Sequence, residues 1–217
     1  MKIDRHGRAK ILTPEEIRLL FYEGARTVRD RTLFAVMLYT ACRVAETVTL
    51  RTKDTYDRLG RVRPNLIVRK GNTKGKLATR TIPVLEDLRG FLEAYTPHPR
   101  CTYLFPGRDG KRHLHPDTAS WVVRTACERI GLEGVSTHSF RRTSLSLMSN
   151  AGIPLRVIQE VSGHRTLDEL YKYLEVPPEQ VRGAIAALSI LTPVEESDSE
   201  KPSFPEMEEN GSVPQID

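Results

Sequence analysis

The stretch "THSFRRTSLSLMSNAGIPLRVIQEVSGHRTLDELYKYLEV", residues 137–176, predicts three successive helices separated by glycine-containing turns. The first covers about residues 138–150, and the second opens with a proline and covers residues 154–162, ending before Gly163. The third begins at Thr166, because a threonine followed three residues later by a glutamate has the spacing of a capping box. This pattern indicates a largely helical fold.

Tyr171 and Tyr173 lie in the third of these helices, and the helical repeat gives them different surroundings. At about 100° per residue, one apolar face is formed by Leu167, Leu170, Tyr171 and Leu174. Tyr173 points roughly 100° from the centre of that face. We therefore predict that Tyr171 packs into the core, while the hydroxyl of Tyr173 faces a cleft.

The rest of the chain continues the helical pattern and contains one clear β signal. "LTPEEIRLLF" predicts a helix from Pro14 through its capping box. Further helices are expected at about residues 29–41, 44–50, 84–95 and 117–130. Residues 65–84 alternate apolar and polar side chains on either side of a turn rich in Gly, Asn and Lys, which predicts a β-hairpin with a basic tip. We expect a mainly α fold with a small antiparallel β-sheet, of the α+β class.

Charge divides the chain into two parts. Residues 193–217 contain eight acidic residues and one lysine, a net charge of −7, which leaves +12 on residues 1–192 for a total of +5. Proline, serine, glycine and acids with few apolar residues predict a disordered tail over 193–217. A strongly basic body is typical of a nucleic-acid binder. On charge alone, a basic protein without a nucleic-acid partner is the alternative.

Composition argues against several classes of protein. The longest apolar runs are far shorter than the roughly 20 residues that cross a bilayer, and no apolar signal core follows the first residues. We therefore expect a cytoplasmic protein without a membrane partner. Cys42, Cys101 and Cys127 are odd in number and form no CxxC pair, which argues against a disulfide framework and a metal site.

Polar residues that could share a site are distributed over distant parts of the sequence. His138 and Arg141 are three residues apart on one predicted helix, and His164 follows the glycine that ends the next helix. Arg43 stands at a helix junction with Glu46 three residues later. Each has a structural alternative: a surface ion pair worth under about 1 kcal/mol for the last two, and helix-terminal polar residues for the others.

In this order, the elements resemble the tyrosine recombinase, or phage integrase, family. "TACRVAE" around Arg43 is similar to the family's first arginine box, and "THSFRRT" is similar to its His-x-x-Arg box. "SGH" resembles its Leu-Gly-His turn, with Ser162 in place of the common leucine. Tyr173, nine residues after His164, stands where the family has its nucleophile. The resemblance covers about residues 11–176.

The resemblance implies a division into a tyrosine recombinase catalytic domain over residues 1–192 and the acidic tail over residues 193–217. The N-terminal core-binding domain of most members has no counterpart in the sequence, so the chain is either a minimal, Xer-like or fimbrial-invertase-like member or a fragment. The amphipathic segment 177–192 is expected to form a helix. It either docks onto a neighbouring protomer in a ring of four on DNA or packs back on its own domain.

The chemistry that the resemblance implies is the cutting and rejoining of double-stranded DNA. The oxygen of Tyr173 attacks a backbone phosphate, which gives a 3′-phosphotyrosine and a free 5′-hydroxyl, and a second 5′-hydroxyl later reverses the step. The ester keeps the bond energy, so we expect neither a nucleotide nor a metal cofactor. The guanidiniums of Arg43 and Arg141 are expected to hold the non-bridging oxygens, with Glu46 orienting Arg43.

Hydrogen-bond donors and proton carriers complete the expected site. His138 and His164 can each donate to the developing charge, and His138 can also accept the proton of the tyrosine. The family supplies the acid for the departing 5′-oxygen from a lysine of the β-hairpin, where this chain has Lys70, Lys74 and Lys76. Lys74 fits best, since "TKGKLATRTIP" resembles the family's Lys-Thr-Gly-Lys turn, with a loop of slightly different length. A phosphate contact or a solvated turn position is the alternative for all three lysines.

Other basic residues are expected to contact DNA phosphates, which positions a protein without reading sequence. They are Arg51, Lys53, Arg69, Lys70, Lys76, Arg142 and Arg156. Two other functions stay open: a catalytically inactive DNA-binding relative with an accessory or regulatory role, and type IB topoisomerase-like relaxation by the same chemistry. The full set of catalytic residue types favours an active recombinase, since a binding protein needs no nucleophile.

Overall fold

The computed structural model describes residues 9–72, 78–97, 101–176 and 178–187. The chain divides into two compact units, Met1–Val176 and Pro177–Asp217. The predicted acidic tail and two hairpin lysines, Lys74 and Lys76, lie outside the described residues. Among the described helices, none has both the length and the apolar character that crossing a membrane requires.

The first unit consists mainly of helices joined by short turns. In chain order they are α1 (Pro14–Leu19), continued by a π-helical turn (Leu20–Gly24), α2 (Val28–Thr40), α3 (Val44–Val48), α4 (Thr52–Thr55), α5 (Glu86–Ala94), α6 (Pro116–Arg129), α7 (Thr137–Asn150), α8 (Leu155–Ser162) and α9 (Leu167–Tyr171). Two antiparallel strands, β1 (Asn65–Val68) and β2 (Arg80–Pro83), form the sheet. The second unit contains α10 (Pro178–Ala186). The predicted α+β fold, mainly helical with a small antiparallel sheet, is confirmed.

Local sequence signals set where these helices begin. The Thr13 hydroxyl accepts a hydrogen bond from the Glu16 amide, and the Glu16 carboxylate accepts one from the Thr13 amide, so the predicted capping box of α1 is present. The Thr166 hydroxyl caps α9 in the same way. There the carboxylate of Glu169 accepts from the Arg165 amide instead of the Thr166 amide. The predicted start of α9 is correct, and its capping box is incomplete.

The centre of the core is α2. Residues 33–37 of this helix are all fully buried, as is typical of a helix that is apolar on every side. The ring of Phe34 packs against the rings of Phe21 and Phe140, at centroid distances of 6.1 and 5.2 Å. The helix ends at Ala41, which has a left-handed φ of 50° and directs the chain into α3.

The small sheet places an arginine on its buried face. Val68 of β1 lies opposite Arg80 of β2, and the neighbouring pair on the same face is Leu66 and Ile82. All four side chains are buried. In a strand that covers a core, the inward positions are normally apolar. An arginine at such a position needs buried partners for its charge.

A second, smaller apolar cluster holds the C-terminal helices of the first unit. Its buried members are Ala41, Leu145, Ile158 and Leu170. The partly buried side chains that pack against it are Met148, Leu155, Tyr173 and Leu174. This second cluster joins the end of α2 to α7, α8 and α9, and it carries the segment that contains Tyr173.

The prediction that Tyr171 packs into the core is wrong. Its side chain is 53% exposed, whereas Tyr173 is half-buried against the second cluster. α9 ends at Tyr171, and the amides of Tyr173 and Leu174 donate to the carbonyls three residues earlier, those of Leu170 and Tyr171. This tighter turn rotates the last residues away from the positions that an α-helical repeat would give them.

Replacing Phe34 by alanine should lower the free energy of unfolding by about 3–5 kcal/mol, because its removal leaves a cavity among buried aromatic rings. Chemical denaturation followed by circular dichroism measures this change. Leu59→Ala is the control: Leu59 is 76% exposed, so its truncation should change the free energy of unfolding by less than about 0.5 kcal/mol. Similar effects of the two substitutions would contradict the central position of α2.

Candidate active site

Side chains from distant parts of the sequence meet at one place in the first unit. They are Arg43 before α3, Glu46 within it, Arg80 at the start of β2, Arg141 in α7, Ser162 and His164 at the end of α8, and Tyr173 after α9. We call this group the candidate site. It lies where the turn at the end of α2 faces α7 and the turn between α8 and α9.

Arg141 is the buried centre of the candidate site, with 1% exposure. Its guanidinium donates to the Ala41 carbonyl, to the Ser162 carbonyl at 2.9 Å and to Nε2 of His164 at 3.0 Å. The first of these acceptors belongs to the left-handed turn that ends α2, a conformation that costs alanine on the order of 1 kcal/mol. Within the described residues, the Nε atom of Arg141 has no hydrogen-bond partner.

Hydrogen bonds assign one protonation state to His164. Nε2 receives a hydrogen from Arg141, which can only donate, so this nitrogen carries no proton. The Ser162 hydroxyl lies 2.8 Å from Nδ1 and donates its own hydrogen to the Gln159 carbonyl at 3.3 Å. It therefore accepts the proton of Nδ1. His164 is neutral, with its proton on Nδ1.

The charges around the candidate site agree with this assignment. Burial, together with the charges of Arg141, Arg43 and Arg80, lowers the pKa of His164 to about 3, so the imidazole is neutral at neutral pH. Burial and the nearby Arg43 lower the pKa of Arg141 to about 10, so its guanidinium stays charged. The candidate site therefore holds fixed positive charge beside a neutral histidine.

Tyr173 lies against both groups. The centroid of its ring is 4.9 Å from that of His164, and the Cζ atom of Arg141 is 5.6 Å from the ring centroid. The second cluster supports the segment, and the Ser146 hydroxyl donates to the Tyr173 carbonyl at 3.4 Å. The structure thus places the ring of Tyr173 against two other side chains that the sequence predicted as catalytic.

Glu46 is a buried carboxylate that connects two arginines. Its Oε2 atom accepts from the Arg43 amide at 2.9 Å and from Nη2 of Arg80 at 3.0 Å, and its Oε1 atom lies 3.4 Å from Nη1 of Arg43. The contact with Arg43 is the one that the sequence predicted. Sequence reasoning missed Arg80, although its inward place in the alternation of β2 was a signal that could have identified it.

The other predicted catalytic residues lie in different surroundings. His138 is exposed in the first turn of α7, while Arg141, one turn later, is buried. Lys70 is exposed at the start of a 3₁₀ turn (Lys70–Asn72). Lys74, the predicted general acid, falls in the hairpin segment that lies outside the described residues.

Several of the predicted DNA contacts line a cleft of about 1050 Å³, which we call the basic cleft. Its cationic residues are Arg51, Lys53, Arg58, Arg63 and Arg69. Arg69 is paired with the carboxylate of Asp54, at 2.5 and 2.6 Å. Arg156 is exposed and lines a separate cleft of about 500 Å³ together with Arg80 and His164.

Arg142 was predicted to contact a DNA phosphate, and the structure contradicts this prediction. The side chain is buried, its Nη1 donates to the Ala9 carbonyl at 2.5 Å, and its Nη2 pairs with the carboxylate of Glu175. Because successive helical residues point about 100° apart, Arg142 faces away from Arg141. It fastens the segments before α1 and after Tyr173 to α7.

The fold and the candidate site agree with the similarity of this chain to known proteins. Residues 10–180 match the phage integrase family, and the chain belongs to this family. Tyrosine recombinase XerA of Pyrococcus furiosus is 26% identical over 187 residues, which cover 84% of this chain and 63% of XerA. Tyrosine recombinase XerC of Rhodospirillum centenum is 28% identical over 183 residues, which cover 78% of this chain and 51% of XerC. The chain thus spans less than two thirds of the length of these relatives.

Solved structures establish the fold. The crystal structure of XerA recombinase has a TM-score of 0.68 and 21% sequence identity, covering 83% of this chain and 65% of that chain. A XerH site-specific recombinase, bound to a palindromic difH substrate after cleavage, has a TM-score of 0.65 and 20% identity, covering 82% of this chain and 52% of that chain. The predicted tyrosine recombinase catalytic-domain fold is confirmed.

Acid should destabilise the fold through His164. Its folded pKa of about 3 lies below the ordinary value for histidine of about 6.5. Between these values the unfolded chain binds a proton that the folded chain does not, so stability is retained above about pH 6.5 and declines as the pH falls toward the folded pKa.

Melting temperatures of the protein and of His164→Gln, measured from pH 7.5 to 4.5, test this expectation. Glutamine is neutral throughout this range, so the variant should lose less stability on acidification than the unaltered protein. Carboxylates elsewhere in the chain titrate in both proteins and cancel in the comparison. Parallel curves for the two proteins would show that His164 does not titrate differently in the folded state.

Proposed function

We propose that this chain is the catalytic part of a site-specific DNA recombinase, which cuts and rejoins double-stranded DNA through a 3′-phosphotyrosine intermediate. The observation that carries the proposal is the contact of the Tyr173 ring with His164 and Arg141 in a buried, positively charged site. Membership of the phage integrase family and similarity to tyrosine recombinases support the same activity. The difH substrate of the similar XerH structure supports DNA as the partner.

Positive charge at the candidate site suits the transition state of this reaction. Attack by a phenol oxygen on a phosphodiester places additional negative charge on the two non-bridging oxygens, and planar guanidiniums bind such oxygens in pairs. Arg43 and Arg141 take this role in the proposal; within the described residues, the buried Nε–H of Arg141 has no hydrogen-bond partner. Each preorganised donor of this kind contributes about 3–4 kcal/mol to the transition state.

His164 fits the role of a further donor to the phosphate once its proton moves. In the free site its Nε2 accepts from Arg141, and an oxyanion at this place requires a donor instead. The Ser162 hydroxyl can reverse its hydrogen bond and donate to Nδ1, because a hydroxyl both donates and accepts. The proton then resides on Nε2. The Ser162 hydroxyl therefore allows the proton of His164 to be on either ring nitrogen.

Two protons must also move during cleavage. The phenol loses one, and a tyrosine is ordinarily protonated at neutral pH. His138, three residues before Arg141 on α7, is the acceptor in this proposal. The departing 5′-oxygen gains the other, and Lys74 of the β-hairpin is the donor. Cations near such a lysine would lower its pKa and so favour release of the proton.

Basic residues outside the candidate site are proposed to hold the DNA backbone. Arg51 and Lys53 line the basic cleft, and Arg156 lines the separate cleft that also contains Arg80 and His164. Arg69 is already paired with Asp54 and contributes less net charge. These contacts account for affinity and its salt dependence, and they leave the choice of sequence to other side chains.

A recombinase must also join two DNA sites, which requires several protomers. We propose that four copies assemble on DNA and that segment 177–192 serves as the contact between neighbours. Within this segment, Val181 and Ile185 are four residues apart in α10 and share one face of the helix. An apolar stripe of this kind suits docking onto another helix surface.

Tyr173→Phe should abolish covalent attachment to DNA, because phenylalanine lacks the oxygen that forms the ester. Nicked duplexes tiled across the DNA that flanks the gene serve as substrates: each loses a short strand after cleavage, so rejoining is prevented and the adduct accumulates. Denaturing gel electrophoresis detects the protein–DNA adduct. Tyr171→Phe is the matched control and should retain the adduct, since this exposed side chain lies outside the candidate site.

An adduct that depends on Tyr171 would overturn the assignment of the nucleophile. Specific binding to the flanking DNA without any adduct would favour the alternative function, a catalytically inactive DNA-binding accessory protein. Relaxation of supercoiled DNA by single protomers, without joining of two sites, would favour topoisomerase-like activity instead. Gel shift, adduct and relaxation assays on the same preparation separate these three results.

The proposed role of Lys74 predicts a dependence on the leaving group. Lys74→Ala should slow cleavage of an ordinary duplex by about 100-fold, the usual worth of a general acid. A duplex with a 5′-bridging sulfur releases a thiolate, which needs no proton, so the variant should cleave it at nearly the unaltered rate. Single-turnover adduct formation measures both rates, with Lys76→Ala as the control. An equal loss on both substrates would exclude Lys74 as the acid.

A further inference from the structure

We propose that Arg80 is a positioning residue of the candidate site, which fixes both the carboxylate that orients Arg43 and the turn that carries His164. This inference rests on the proposed recombinase function. Arg80 begins β2, directly after the hairpin segment, and its side chain points to the buried face of the sheet. Arg80 thus reaches the candidate site from the sheet, whereas Arg43 and Arg141 reach it from helical segments.

The guanidinium of Arg80 makes hydrogen bonds to two oxygen atoms that lie in different directions. Nη1 donates to the Ser162 carbonyl at 2.6 Å, and Nη2 donates to Oε2 of Glu46 at 3.0 Å. The same Nη2 lies 3.6 Å from the Sγ atom of Cys42. A planar guanidinium holds two such acceptors at a fixed separation, whereas the ammonium of a lysine has no comparable fork.

The bond to Glu46 connects Arg80 to the first predicted phosphate ligand. Glu46 is buried, and its Oε2 accepts from both Arg80 and the amide of Arg43. A buried carboxylate is stable only when cations and donors surround it. Arg80 therefore fixes the plane of the carboxylate, and the carboxylate in turn fixes the backbone and the side chain of Arg43.

The bond to Ser162 connects Arg80 to the histidine. Gly163 lies between Ser162 and His164 with a left-handed φ of +64°, and the guanidinium of Arg80 packs directly over it. A Cβ atom on Gly163 would lie 1.8 Å from Nη1 of Arg80. Glycine is required here by the close approach as well as by the backbone conformation. The position of Arg80 and the shape of the turn are thus mutually dependent.

These contacts predict a defect of a particular kind. Loss of Arg80 should disturb the groups that hold the phosphate, without removing a surface contact to DNA. Cleavage should slow by about 10- to 100-fold, as is typical when a group that orients a ligand is removed. DNA affinity should change by no more than about twofold, because exposed phosphate contacts supply it. The defect should also be independent of the leaving group.

Arg80→Met tests these expectations on the ordinary and 5′-sulfur duplexes, with single-turnover adduct formation for the rate and fluorescence anisotropy for affinity. Both duplexes should show the same loss. Arg80→Lys keeps the charge without the fork and should recover only part of the rate. Arg80→Met removes one of the two arginine partners of the buried Glu46 carboxylate and leaves only the contacts with Arg43. The double variant Glu46→Gln/Arg80→Met removes this buried charge as well, and it should be no slower than Arg80→Met alone.

Gly163→Ala tests the contact between Arg80 and Gly163 by changing the glycine instead of the arginine. The new methyl group displaces the guanidinium, so its defect should equal that of Arg80→Met, and combining the two should add nothing. Gly152→Ala is the matched control. Gly152 has a similar φ of +75° with nothing within 4 Å of the added Cβ, so it introduces the backbone strain without the clash and should cleave normally.

A spectroscopic measurement decides the inference even without catalysis. The ¹⁵N shifts of the His164 ring should change in Arg80→Met and Gly163→Ala and stay unchanged in Gly152→Ala. Unaltered shifts and rates in the first two variants would overturn the role of Arg80, as would full recovery of the Arg80→Met rate on the sulfur duplex. If the unaltered protein forms no adduct, the proposed function fails, while the shifts still report on Arg80.

Discussion

The carbonyl oxygen of Ser162 accepts hydrogen bonds from two buried guanidiniums, those of Arg80 and Arg141, and the candidate site depends on this convergence. Two like charges repel strongly where water is excluded, unless acceptors lie between them. The carbonyl serves as one such acceptor, and the carboxylate of Glu46 serves Arg80 as another. The carbonyl belongs to the end of α8, just before His164. Arg80 of the sheet and Arg141 of α7 therefore both bind α8 at this one oxygen atom.

The net charge of the candidate site indicates what kind of ligand it can hold. One buried carboxylate faces Arg43, Arg80 and Arg141, and the adjacent histidine is neutral, so positive charge is left in excess. Keeping that excess away from water is costly when the site is empty. A phosphodiester supplies the missing negative charge without adding a titratable group. Under the proposed function, a backbone phosphate would compensate this excess of positive charge.

Local signals in the sequence predicted the secondary structure well, because caps and helix breakers act over only a few residues. The threonine caps of α1 and α9 lie where the sequence placed them. Two predictions about the direction of side chains were wrong. Tyr171 is exposed and not packed in the core, because α9 ends at this residue and the next residues form a tighter turn. Arg142 is buried because its partners come from segments 133 and 33 residues away.

Spacing within the family boxes was enough to select Arg43, Arg141, His164 and Tyr173 as members of one site, since the fold that joins them is shared. Arg80 could not be selected in the same way. Its importance comes from contacts that span 34 and 82 residues of sequence, and no local pattern encodes such distances. Alternation with Ile82 and Val84 places Arg80 on the buried side of β2, but it does not identify the distant groups that Arg80 binds.

The segment that bears Tyr173 rests on the second cluster and not on the main core around α2; among the described residues, this cluster has four buried members. Opening such a small cluster costs less free energy than unfolding the whole unit, and partial opening is expected at lower temperature. The tyrosine would then detach while α2 and its neighbours remain folded. The proposed activity should accordingly be lost at a lower temperature than the fold as a whole.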